Sequence, residues 1–203
     1  MPVIPSTPAD GATASARDRV LLTAHDLFYR DGIRATGIDR VIADAGVTKV
    51  TFYRHFPSKN DLVLAFLGHR HAHWMAWFDA ALARHGAGRR HRLAGLPLAL
   101  AEWFADPGFR GCAFLNSVGE LGPSLPEVRD IARDHKRDMT AAIASLMPDS
   151  PQRARDAEAL ALAVDGAILH AQFDSADAAL EPLKRCVQWV IGRSESAGGH
   201  GDA

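Results

Sequence analysis

The sequence predicts an all-α protein of about nine helices, opened by a three-helix head of helix-turn-helix pattern. Three observations lead there. Apolar residues recur at helical spacing in one segment after another, and no run alternates as a half-buried strand would. Most of these segments begin at Ser or Thr and stop at Gly or before Pro, the signals of helix caps. Near the N-terminus two very short helical segments are joined by a tight glycine turn, which sets two helices at a steep angle.

Residues 1–16 contain Pro2, Pro5, Pro8 and Gly11 and no apolar run with a basic flank, so they read as a flexible arm rather than a signal peptide. From Arg17, the positions Val20, Leu21, Ala24, Leu27 and Phe28 form one helical face that stops at Gly32. A short helix is expected from Gly37 to Ala45, with Thr36 as its N-cap, Asp39 at the capping-box position and Gly46 behind it. Thr48 caps the next, Lys49 to His55, which stops before Pro57. Ser58 to Asp61 repeats the cap signal and opens a long helix through Phe66, Trp74, Trp77 and Leu82 to Gly86.

Leu93 to Phe104 reads as helix, kinked or delayed by Gly95 and Pro97, and Cys112 to Leu121 as a short helix between glycines. Ser124, Pro126 and Glu127 open an amphipathic helix whose apolar face runs from Val128 to Met147. Ser150-Pro151 starts another that reaches Phe173, the last helix spans Pro182 to Ile191, and residues 194–203 read as a disordered tail.

A chain of 203 residues that is 47% hydrophobic has ample material for a core, and its net charge of -1 excludes a basic field over the whole protein. Positive charge is instead local. Residues 17–60 carry eight cations against five aspartates, a net +3 that leaves the remainder acidic. Cys112 and Cys186 are too few for a disulfide framework, which suits a reducing cytosol, and no apolar stretch is long enough to span a membrane. A soluble, cytoplasmic protein is expected. There is no Ser-His-Asp order, no Gly-rich phosphate loop and no His-Glu-x-x-His spacing, so neither an enzyme nor a cofactor is expected.

The short helix after Gly46 carries the functional reading. Thr48, Lys49, Thr51, Tyr53, Arg54 and His55 are the polar and basic side chains a recognition helix needs to reach phosphates and base edges. Phe52 and Phe56 lie four apart and supply its buried side, while Lys59 follows in the first turn of the next helix. The run Gly46-Val47-Thr48-Lys49-Val50-Thr51-Phe52-Tyr53-Arg54-His55-Phe56-Pro57-Ser58-Lys59, with Thr36-Gly37-Ile38 and Ile42-Ala43 before it, closely resembles the tetracycline-repressor (TetR) family of bacterial regulators. Val50 departs from the Gly that many members have there.

The resemblance implies a DNA-binding head (residues 17–61) and a helical effector-binding domain (62–193) whose last two helices pack against a partner subunit. It further implies phosphate contacts from Thr36, Tyr53, His55 and Lys59, base contacts from Thr48, Lys49 and Thr51, and repression as the default action. Operator DNA, a second copy of the chain and an unidentified small molecule would be the partners. For the effector pocket the candidates are Trp74, Trp77, Trp103, Phe114, Asn116, His135 and Phe173, with plain core packing as the alternative for each aromatic. For the dimer face they are Leu160, Val164, Ala167, Leu183, Val187 and Val190, with packing inside one chain as the alternative. His69 and His73 share a helix face without an evident third ligand, so no metal site is expected. Cys112 reads as a small buried hydrophobe, with a thiol sensor as the alternative.

Overall fold

The structure, a computed structural model, describes residues 14–198 and is all-helical there, with nine α-helices and no strand among the described residues. They are α1 (Ala16–Asp31), α2 (Ile38–Asp44), α3 (Lys49–His55), α4 (Lys59–Gly86), α5 (Leu96–Phe104), α6 (Ala113–Leu121), α7 (Glu127–Ala144), α8 (Arg153–His170) and α9 (Ala176–Gly198). Most of the arm, residues 1–13, and the end of the tail, 199–203, lie outside the described residues. None of the described helices is long and apolar enough to cross a membrane.

The helices divide between two compact units. One holds residues 14–74 and 113–133, and the other holds 75–112 and 134–198. In the first, Ser15 caps α1 by accepting the N–H of Asp18 at 3.2 Å, and Gly32 ends it at φ 91°, a left-handed conformation that favours glycine. Val20, Ala24 and Phe28 of α1, Val41 of α2, Phe52 of α3 and Phe66 of α4 are all buried. Each such valine or phenylalanine stabilises the fold by about 1.5–3 kcal/mol relative to exposure.

Polar groups share this core. His25, 4% exposed, takes a hydrogen bond on Nε2 from the Arg70 guanidinium at 3.2 Å. Arginine only donates, so Nε2 must be the acceptor and the ring is neutral, with Nδ1–H donating to Asp26 at 3.1 Å. Arg70, itself 2% exposed, lies 3.8 Å over the Tyr29 ring.

In the second unit α8 packs on α9, and α9 also packs on α5. A 3-10 turn (Arg92–Gly95) precedes α5, and Pro97 sits in that helix's first turn, where its missing N–H costs nothing. Helix α9 starts before Pro182 rather than at it and continues to Gly198, so residues 194–198 are helical where tail was expected. Ser175 caps its start by accepting the N–H of Ala178 at 3.1 Å, and buried Ala179, Leu180 and Leu183 hold the turns around the proline. At its far end Glu195 pairs with Arg90 at 3.0 Å and His91 at 2.9 Å, which ties down the turn that composition alone reads as loose.

The expected dimer residues are corrected here. Leu160, Val164, Ala167, Leu183, Val187 and Val190 are each 5% exposed or less in the single chain, so their surface is already spent on its own interior. Apolar spacing identified the buried stripes of α8 and α9 but not what covers them. The side chains left open are Leu162 at 75%, Leu169 at 57%, Phe173 at 70% and Trp189 at 59% exposure.

Candidate nucleic-acid interface

Helices α1, α2 and α3 pack on one another, and the turn between α2 and α3 sets the angle of α3. Gly46 takes φ 61° there, its N–H bonding to the Ala43 carbonyl while the N–H of Val47 reaches that of Ile42. Arg19 of α1 donates to the Ala45 carbonyl at 3.3 Å, fastening the turn from behind. Thr48 then caps α3 as expected, accepting the N–H of Thr51 at 3.2 Å. Phe52 and Phe56 are 0% and 2% exposed, with ring centroids 6.2 Å apart, and anchor one side of α3. The other side presents Lys49, Val50, Tyr53 and Arg54 to solvent, with Thr48 exposed and Thr51 and His55 half-buried.

Two expected phosphate ligands have other tasks. Thr36 is 0% exposed, and its hydroxyl donates to the Gly32 carbonyl at 2.8 Å, closing the C-terminal end of α1. Nor does it cap α2, whose N-cap is Gly37. Lys59 donates to the carbonyls of Ile33 and Thr36 at 2.6 and 2.7 Å, so two of its three N–H donors strap the α1–α2 turn. Burial pushes its ammonium down from the ordinary lysine range. Its ammonium is half-buried, with one N–H donor left beyond those two carbonyls.

Glu120, at the C-terminal end of α6, also holds this turn. Its carboxylate accepts the main-chain N–H of Ile33 at 3.3 Å and of Arg34 at 2.8 Å, and its carbonyl accepts Arg34 Nε at 2.7 Å. Sequence reasoning missed this residue. The available signal was a carboxylate in the last turn of a helix, where the dipole disfavours it unless donors compensate.

Ion pairing consumes much of the head's positive charge. Arg30 and Arg40 both pair with Asp31, at 2.8 and 2.9 Å, and the Arg30 hydrogen bond draws that carboxyl down to about 2. Lys49 lies 3.6 Å from Asp39, and Arg17 lies over the Phe56 ring. Arg54 is exposed on α3 and forms no ion pair among the described residues.

The proposed effector residues do not form one set. Trp77 and Trp103 belong to an aromatic cluster with Phe104 and Phe109, Trp103 meeting Phe109 edge-on at 5.2 Å. Trp77 Nε1 donates to Glu102, which also accepts from His85 and Arg84 and is drawn down to about 2, chiefly by the His85 hydrogen bond. Trp74, Phe114 and His135 are buried, but Asn116 is exposed and Phe173 is 70% exposed, its ring tilted against that of His170, so these two are corrected as lining residues of an interior pocket. A groove of about 1050 Å³ lies instead along Pro148, Gln152, Asp156, Trp189 and Arg193. Cys112 is buried and Cys186 exposed, and no cluster of three or more metal-ligating side chains exists among the described residues.

Known proteins share both the head and the helical fold. The profile of bacterial regulatory proteins of the tetR family matches residues 20–66, from within α1 through α2 and α3 into the start of α4. A TetR-family transcriptional regulator from Streptomyces coelicolor superposes with a TM-score of 0.73 at 29% identity, covering 88% of this chain and 95% of that one. The chain belongs to the TetR family. Two curated relatives are transcriptional regulators. The transcriptional regulator AcuR of Cereibacter sphaeroides is 26% identical over 134 residues, 62% of this chain and 60% of AcuR. The HTH-type transcriptional activator FasR of Mycolicibacterium smegmatis is 42% identical over 51 residues, 25% of this chain and 23% of FasR. This TetR-family chain thus aligns with less than two thirds of either curated relative's length.

Proposed function

We propose that the protein is a homodimeric transcriptional repressor. It binds a palindromic operator through residues 17–61 and is released by a small-molecule effector held within residues 62–193. The observation that carries this reading is α3 itself, pinned by Phe52 and Phe56 on one side and presenting Val50, Tyr53 and Arg54 on the other. A helix so mounted behind a glycine turn fits the major groove. The open face of Leu162, Leu169, Phe173 and Trp189 supports pairing with a second copy, which would set two heads about 34 Å apart, or a multiple of that, along the duplex. The effector releases DNA by binding the two states of the dimer unequally. The site of action is the cytoplasm.

Selection from random duplex DNA at near-physiological salt tests the reading. Enrichment of a palindrome supports a dimeric operator binder. A pool that stays random, with the protein folded and free of co-purified ligand, removes DNA recognition from it.

A further inference from the structure

Val50 is 79% exposed, the most open large hydrophobic side chain among the described residues, and it is the second residue of α3. Nothing in the head's fold needs it there. The core of the head is closed by Phe52, Phe56 and Val41, and a β-branched residue is a weaker helix former than many polar alternatives. Its polar neighbours are engaged among themselves. Thr48 Oγ1 accepts the N–H of Thr51 and shares a hydrogen bond of 2.9 Å with Thr51 Oγ1, while Lys49 leans toward Asp39. The part of α3 that faces outward without an internal bond is therefore led by an aliphatic group.

In the major groove the one apolar feature that distinguishes bases is the C5-methyl of thymine. We propose that Val50 is a specificity-determining residue whose isopropyl group packs on a thymine methyl in each operator half-site. This rests on the DNA-binding reading above. It assigns to α3 a sequence preference read by apolar contact, with the threonine hydroxyls holding the helix start.

The test is a cycle of paired deletions. Each thymine of a half-site selected by the wild-type protein is replaced in turn by deoxyuridine, which lacks only the methyl, and affinity is measured by fluorescence anisotropy for wild type and Val50→Ala. At one position the wild type is expected to lose about fourfold, the worth of one buried methyl group, while Val50→Ala is unaffected there. Elsewhere the two proteins respond alike. Because Val50 is solvent-exposed, the variant keeps its fold, which far-UV circular dichroism verifies. If every replacement affects both proteins equally, Val50 does not read a methyl and the proposal fails, with operator binding by the wild type intact. If the wild type prefers no duplex at all, the DNA-binding reading fails, and this inference with it.

Discussion

Removing the Glu120 carboxylate should loosen the head from a residue outside it in sequence. Its two oxygens accept the N–H groups of Ile33 and Arg34 at 3.3 and 2.8 Å. These two donors do not fare alike once the acceptor is gone. Arg34 is exposed, so its N–H finds water at little cost, whereas Ile33 is 2% exposed and its N–H is left without a partner. A stranded main-chain donor costs about 1–3 kcal/mol, so Glu120→Ala should destabilise the protein by roughly 2 kcal/mol. For a chain of this size that lowers the thermal midpoint by about 4–8 °C. Glu120→Gln keeps one acceptor oxygen and should lose less than half as much. Thermal unfolding followed by far-UV circular dichroism reads both. The same turn is strapped by Lys59, so operator affinity should fall with the Ala variant even well below its melting point. An Ala variant that melts with wild type, or a Gln variant as damaged as Ala, would show that the carboxylate is a bystander.

Other expectations follow from the same geometry. Leu169→Glu combined with Phe173→Glu puts charge into the open face of α8 and the turn after it, and should yield a folded monomer by sedimentation; a variant that still dimerises would place the interface elsewhere. Burial holds His25 below its ordinary value of 6.5 and His69 down to about 4, with Arg70 and His73 adding to the effect and Asp26 opposing it at His25. Because the unfolded chain then binds protons that the folded one does not, stability should fall as pH drops from 6.5 toward 4, and His69→Gln should flatten the slope of the thermal midpoint in that window. Arg54→Ala should weaken binding to every duplex and reduce the magnitude of the salt slope by about one per head engaged. Thr36→Val, by contrast, should cost about 1 kcal/mol of stability and leave the affinity of the folded protein unchanged; a Thr36→Val protein that binds more weakly with a shallower salt slope would restore the phosphate role.

What was legible in the sequence was local. The Thr48 cap, the Ser58–Asp61 capping pair, the stop at Gly46 and the Phe52–Phe56 anchor each depend on residues within a few positions of one another, and each stands in the structure. What failed was the choice of partner. Thr36 has the chemistry of a cap, but its hydroxyl finds the carbonyl of Gly32 behind it rather than a free N–H ahead. The small and aliphatic residues of α8 and α9 were correctly apolar, yet periodicity cannot distinguish a stripe covered by the next helix of the same chain from one covered by a second copy. The last helix begins before Pro182 rather than at it, because the buried residues around the proline carry the helix through. Glu120 was out of reach because its donors lie more than eighty residues away in sequence.

The charge of the head illustrates how such distant pairing changes a functional argument. By composition, residues 17–60 offer a net +3 to DNA. In space, Arg30 and Arg40 neutralise Asp31, Arg34 reaches the Glu120 carbonyl, Arg19 holds the Ala45 carbonyl and Lys59 straps the α1–α2 turn. Those cations build the platform rather than the contact. Lys49, beside an exposed aspartate, and Arg54 are the cations that α3 itself exposes. An interface with so few free cations gains less from counterion release than a basic patch of the same composition would. On the proposed DNA-binding reading, more of its discrimination would therefore come from close fit, for which α3 offers Val50, Thr51 and Tyr53.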